Sequence, residues 1–120
     1  MILVDASVWI DHFRRGRADL AAALEIGAVG VHPFVIGELA IGSLRTDSPI
    51  LEAMVELPMA RQIGHEEAMT LIHRRRLAAR GIGWIDLHLI GSALLEGWSI
   101  WTLDRPLDRA VRDLKIAWEG

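Results

Sequence analysis

Apolar and polar positions fall in short blocks along the chain. Residues 2–4, Ile-Leu-Val, are continuously apolar and stop at Asp5, as expected of a short strand buried on both faces. Ser7 is placed to cap a helix that carries Trp9, Ile10 and Phe13 at helical spacing, and residues 18–26 repeat that spacing up to Gly27. Val29 to Val31 reads as a second strand. His32-Pro33 opens a helix to about Leu44, proline suiting its first turn. Ser48-Pro49 starts another, which ends before Pro58. A long helix follows from about His65 to Arg80, stopped by Gly81. Asp86 opens a helix through Glu96, with Gly97 after it. Ser99 to Leu103 and Lys115 to Trp118 have strand character, and Arg105-Pro106 begins a short helix between them.

Short apolar strands alternating with helices predict an α/β fold. Its core would be a central parallel sheet of about four to five short strands with helices on both faces. The length of 120 residues suits one domain, and no repeat, linker or low-complexity tract divides it, so residues 1–120 are read as a single unit. In such sheets ligands lie beyond the carboxyl ends of the strands. That rule directs attention to the residues that follow each strand.

Composition narrows the chemistry. A hydrophobic fraction of 52% is incompatible with disorder. The absence of cysteine excludes disulfides, iron–sulfur clusters and thiolate zinc sites. No segment approaches the ~20 uncharged residues of a membrane span. The opening Met-Ile-Leu-Val-Asp lacks the basic start of a signal peptide. A soluble, cytoplasmic domain is expected. The net charge of −3 argues against a uniformly basic nucleic-acid coat, yet 12 of the 13 basic residues are Arg. The densest group, His73-Arg74-Arg75-Arg76 with Arg80, is either a local patch for a phosphate-rich partner or a solvated helix surface. The second reading follows because successive helical residues turn by ~100°. No GxGxxG or P-loop pattern supports a nucleotide cofactor. His12, His32, His65, His73 and His88 lack zinc-ligand spacing and read as surface or satisfied core histidines. The Trp and Phe residues sit at core-like positions, with no aromatic platform for bases evident.

Four carboxylates need an explanation. Asp5 follows the first strand and Asp104 follows Ser99–Leu103, so parallel strands would bring both to one sheet edge. Thr102, two residues before Asp104, shares its strand face. Glu38 stands in a helix that is apolar nearly all round, with Phe34, Val35, Ile41 and Gly42 as its neighbours one turn away. A carboxylate buried there must find a partner, shift its pKa or hold a cation. Asp86 stands at a helix N-terminus. Each acid alone has a structural explanation, as a helix cap or a buried ion pair. Converging carboxylates, however, repel and need protons or cations among them. Oxygen-only ligands favour Mg²⁺ or Mn²⁺.

The run Val4-Asp5-Ala6-Ser7-Val8-Trp9-Ile10-Asp11, Glu38 in its apolar helix, Ile85-Asp86 opening a helix and Thr102-Leu103-Asp104 after a strand resemble a PIN domain. The length and the Asp-x-Ser-Val-Trp-Ile-Asp opening look most like a VapC-type toxin of a toxin–antitoxin pair. The resemblance implies that Asp5, Glu38, Asp86 and Asp104 form a Mg²⁺ or Mn²⁺ site for endoribonuclease cleavage. Ser7 and Thr102 would supply supporting hydroxyls, and Asp108 would join through water or lie on a solvated face. Asp11 would be a surface or Arg-paired residue. The family often has an aromatic after Thr102-x-Asp104, where this chain has Leu107. The resemblance also implies an RNA substrate, a cognate antitoxin and a homodimer, with Trp9, Ile10 and Phe13 as interface or core residues. A response-regulator receiver would want paired acids after the first strand and a mid-chain phospho-accepting Asp. A haloacid-dehalogenase-like phosphatase would want Asp-x-Asp, and a non-catalytic interaction domain would use the same fold.

Overall fold

Three short strands organise the chain: β1 (Ile2–Val4), β2 (Val29–Gly30) and β3 (Ser99–Trp101). A computed structural model describes residues 1–42 and 44–120. The strands form a parallel sheet in the order β2-β1-β3, with Leu3 opposite Gly30 on one side and Ile100 on the other. Every residue of β1 is buried. Successive strand residues point to opposite faces, so helices must cover both sides of the sheet. Because all three strands run the same way, their carboxyl ends open on one edge, where Asp5, His32 and Asp104 follow.

The helices are α1 (Ala6–Arg15), α2 (Ala18–Glu25), α3 (Pro33–Gly42), α4 (Pro49–Met54), α5 (His65–Arg75), α6 (Trp84–Glu96) and α7 (Arg105–Asp113). α1 packs on α3, α5 on α6, and α6 on β3. Their termini follow the local chemistry. The Ser48 hydroxyl accepts from the Ile50 N–H, with proline in the first turn of α4. Gly97 closes α6 at φ 73°, a conformation that costs glycine nothing. Gly30 has a different reason: the Trp98 ring packs where its Cβ would be. The largest wholly buried side chains, among them Leu3, Leu20, Leu39, Leu89, Ile90, Ile100 and Leu107, join sheet and helices in one core.

Five expectations are corrected. The sheet has three strands among the described residues, not four to five. Lys115 adopts φ 60°, so the last segment reaches β3 only as a single bridge between Ala117 and Ile100, and Met59 makes another such bridge to Val31. β3 ends at Trp101 rather than Leu103, because the next N–H groups turn to side chains: Leu103 donates to Ser7 Oγ and Asp104 to Thr102 Oγ1. Asp5, not Ser7, occupies the cap position of α1. α5 stops at Arg75, because Arg76 turns left-handed at φ 52° and sends Leu77 into the core. The expected continuation of α3 toward Leu44 passes through residue 43, outside the described residues.

Candidate active site

The sheet edge is built around Asp5. It is only 6% exposed, and its Oδ2 accepts from Ser7 Oγ at 2.7 Å and Thr102 Oγ1 at 2.8 Å. Each hydroxyl also accepts a backbone N–H, Ser7 from Leu103 and Thr102 from Asp104, both at 3.0 Å. The end of β1, the first turn of α1 and the end of β3 are thus tied together through one carboxylate. A hydroxyl has one proton to give, and both of these protons go to the same oxygen, so the orientation of the Asp5 carboxyl group is fixed. Neither hydroxyl engages Oδ1.

Asp104 caps α7, its Oδ2 accepting from the Leu107 N–H at 3.1 Å. Leu107, standing near the place where the family often has an aromatic, is wholly buried and serves as the helix's first core anchor. Asp86 is the third residue of α6 rather than its first; its Oδ2 accepts from the Gly83 N–H at 2.8 Å. Both capping bonds use a single oxygen of the carboxylate.

Glu38 corrects an expectation. It is exposed, as is Ile41 at 91%, and the buried residues of α3 are Val35 and Leu39. The helix is apolar all round but covered on one side only. Loss of solvent around the Glu38 carboxyl nevertheless raises its pKa, and the charges of Asp5 and Asp86 raise it further. Burial likewise raises the pKa of Asp86, against the opposing pull of the Gly83 N–H, and Asp5 and Asp104 add to the rise. Glu38 therefore feels Asp5 and Asp86, Asp86 feels Asp5 and Asp104, and none of the four is ion-paired among the described residues.

Two other acids have basic partners. Asp108 is bonded to Arg112 one turn on, at 2.8 Å. Asp11 accepts from Arg15 at 2.9 Å and Arg17 at 2.8 Å, as the Arg-paired reading of it anticipated.

The donor set suits a hard divalent cation: all oxygen, uncompensated, with one bonded oxygen on each aspartate. Among the described residues, no three His, Asp or Glu side chains are arranged as a ready cage. Two or more of the acids would have to turn toward a shared ion.

A second feature is not legible in the sequence. His32, Phe34, His88, Trp84 and His65 form a continuous file of rings with centroids 4.7 to 5.5 Å apart. His32 and His88 are buried, yet His32 Nε2 and both nitrogens of His88 have no hydrogen-bond partner among the described residues, so they are not the satisfied core histidines expected. Only the His32 Nδ1 is engaged, accepting from the Phe34 N–H at 2.9 Å. Trp84 opens α6 two residues before Asp86 and is 45% exposed. Helical spacing pairs Trp84 with His88, but nothing in the sequence brings Phe34 to His88 or His65 to Trp84 across separate elements.

Comparison with known proteins decides the family. The PIN domain family matches residues 2–113. The chain belongs to the PIN domain family. It is also 42% identical, over 118 residues, to Ribonuclease VapC32 of Mycobacterium tuberculosis strains CDC 1551 / Oshkosh and ATCC 25618 / H37Rv, covering 98% of this chain and 95% of the relative. This is a VapC-type PIN domain, and the receiver and phosphatase readings lose their ground. The PIN domain's α/β order agrees with the alternation seen in the sequence, with fewer strands. No helix among the described residues is long and apolar enough to cross a membrane.

Proposed function

We propose that this PIN domain is a metal-dependent endoribonuclease and the toxin of a type II toxin–antitoxin pair, acting in the cytoplasm with Mg²⁺ or Mn²⁺. One observation carries the proposal: four carboxylates stand at the ends of β1 and β3, on α3 and on α6, none of them ion-paired among the described residues, with Glu38 raised by the charges of Asp5 and Asp86, and Asp86 by those of Asp5 and Asp104. The relatives' name, Ribonuclease VapC32, supports RNA as the substrate.

Asp5, Glu38, Asp86 and Asp104 would hold the cation, and Ser7 and Thr102 keep Asp5 oriented. A divalent ion bound there lowers the pKa of water and stabilises charge on a phosphate. The acids have a second effect. Their charge, set in partly desolvated surroundings, repels the phosphate backbone unless a cation is present, so binding of RNA and of metal are coupled. No side chain of the chain serves as nucleophile; attack by water would leave a 5′-phosphate and a 3′-hydroxyl. Asp108, paired with Arg112, is given no direct part in this reading.

The cognate antitoxin would place an Arg guanidinium among the acids, where it supplies the missing positive charge. An apolar groove of about 450 Å³ between α1, α2 and α4, lined by Trp9, Phe13, Ile50 and Met54 among others, offers that partner an apolar seat. The family resemblance also supports a homodimer, which light scattering at micromolar concentration checks. The activity is tested with purified protein and a structured RNA. Cleavage in Mn²⁺ that stops in EDTA is expected; undiminished cleavage in chelator overturns the assignment.

A further inference from the structure

Beside the acids lies a second concavity that the proposed chemistry does not use. A slot of about 260 Å³ runs between the end of α5, the turn after it and the start of α6. Its side chains are apolar, including Ile72, Leu77, Ala78, Ile82, Leu87 and the indole of Trp84. That volume lies just below the roughly 300–1,000 Å³ of sites for drug-sized ligands, which suits a single flat ring system.

Three further observations say what kind of ring. First, the slot adjoins the acidic edge: Gly83 lines it and donates its N–H to Asp86. Second, Trp84 remains 45% exposed although it is braced by two imidazoles, with His88 meeting it edge-on at 4.7 Å and His65 at 5.5 Å. A fixed, exposed aromatic is a stacking surface with its ordering already done. Third, Arg74, Arg75 and Arg76 lead into the slot-lining segment, all exposed and without an ion pair among the described residues. They supply positive charge where a sugar-phosphate chain would pass.

Building on the ribonuclease reading, we infer that this slot takes one unpaired nucleobase of the RNA, stacked on Trp84, next to the phosphate presented to the acids. Apart from the indole N–H, the slot's side chains carry no hydrogen-bonding group. It therefore grips a base by its face and discriminates weakly among bases, purines gaining most from their larger area. Its role is to hold the strand unstacked at the acidic edge.

The test uses labelled single-stranded oligoadenylate and Mn²⁺, on a Glu38→Gln background that keeps the RNA intact. Binding is read by anisotropy, and stacking by quenching of a fluorescent adenine analogue. Trp84→Ala should weaken binding about ten- to a hundredfold and abolish the quenching, the range expected for loss of one base–aromatic stack. Trp84→Phe should restore most of both. Ala78→Leu, which fills the slot from an exposed position, should reproduce the loss with the indole still present; thermal melts confirm that each variant is folded. Unchanged affinity and quenching in Trp84→Ala and Ala78→Leu overturn the slot while leaving the ribonuclease reading intact. If the parent binds no RNA and wild type cuts none, the ribonuclease reading fails and the slot falls with it.

Discussion

Two groups of acids are treated in opposite ways by the same fold. Asp11 and Asp19 lie where Arg15 and Arg17 reach them, at 2.8 to 3.0 Å, and the guanidinium bonds hold both pKa values below the ordinary carboxylate value. Among the described residues Asp5, Glu38, Asp86 and Asp104 have no such cation, and Glu38 and Asp86 are pushed upward by burial and by their neighbours' charge. Acids that serve only to hold structure are compensated within the chain. Acids left uncompensated at a strand edge favour positive charge from outside the chain, which supports the proposed metal site.

The sharpest way to break this comparison is to neutralise one member of each group. Asp5→Asn, Asp86→Asn or Asp104→Asn should lower RNA cleavage by about a thousandfold, several kcal/mol of lost transition-state stabilisation. Asp11→Asn should leave cleavage within about twofold, as should Asp108→Asn, since surface ion pairs contribute little. Loss of comparable size in Asp11→Asn would dissolve the distinction between the groups.

Acid titration gives the next largest effect, and it comes from behind the acidic edge. Burial lowers the pKa of His32 from 6.5 to about 4, with the nearby His88 adding to the fall. Its neutral form is the one the fold accepts. Stability is therefore full above the unfolded value of 6.5, declines as pH falls through the interval, and reaches its full loss below about 4. The scale is about 3 kcal/mol. His32→Asn keeps an acceptor for the Phe34 N–H and should flatten this part of the pH–stability profile. The paired acids lose their contribution only at lower pH, since their folded pKa values lie below 3.8. A decline of equal steepness in His32→Asn counts against this account.

The smallest effect concerns repulsion itself. Raised folded pKa values mean that metal-free protein loses stability as pH rises from 3.8 and 4.5 through the raised values of Asp86 and Glu38. Glu38→Gln removes one charge without removing a hydrogen bond and should raise the melting temperature in EDTA. Solvent screening at this exposed residue limits the gain to less than about 1 kcal/mol. Mn²⁺ should then stabilise wild type more than Glu38→Gln by mass action. Asp11→Asn should do the reverse: lower the melting temperature in EDTA and leave the Mn²⁺ response unchanged.

Much of the acidic edge is legible in the order of residues alone. An apolar tripeptide ending in Asp5 and a second strand leading to Asp104 could meet only at one edge of a parallel sheet, and they do. Ser48, Gly97 and Asp104 mark helix ends as their side chains or backbone freedom dictate. These signals are short-range: capping, strand burial and left-handed turns are settled within a few residues. Glu38 misleads for the same reason. α3 is apolar on every side, so its pattern does not point to the face that meets the core, and it implies burial for a residue that is exposed. The pattern also overshoots the end of α5, because nothing in His73-Arg74-Arg75-Arg76 announces a left-handed residue.

The order of residues alone carried the α/β alternation, the strand-end acids, the exclusion of thiolate and disulfide chemistry, and the all-oxygen character of the candidate site. Tertiary structure decided what depends on residues far apart in the chain. Thr102 reaches Asp5 across 97 positions. Arg15 and Arg17 go to Asp11 rather than to the acidic edge. Rings from three elements gather beside Trp84, and the last segment meets β3 through one backbone bridge at Ile100 and the packing of Trp118 on Trp101. Local preferences fix how each segment is shaped, whereas the partner of a charge or a ring depends on which segments the core draws together, and that is settled only when the whole apolar surface is buried at once.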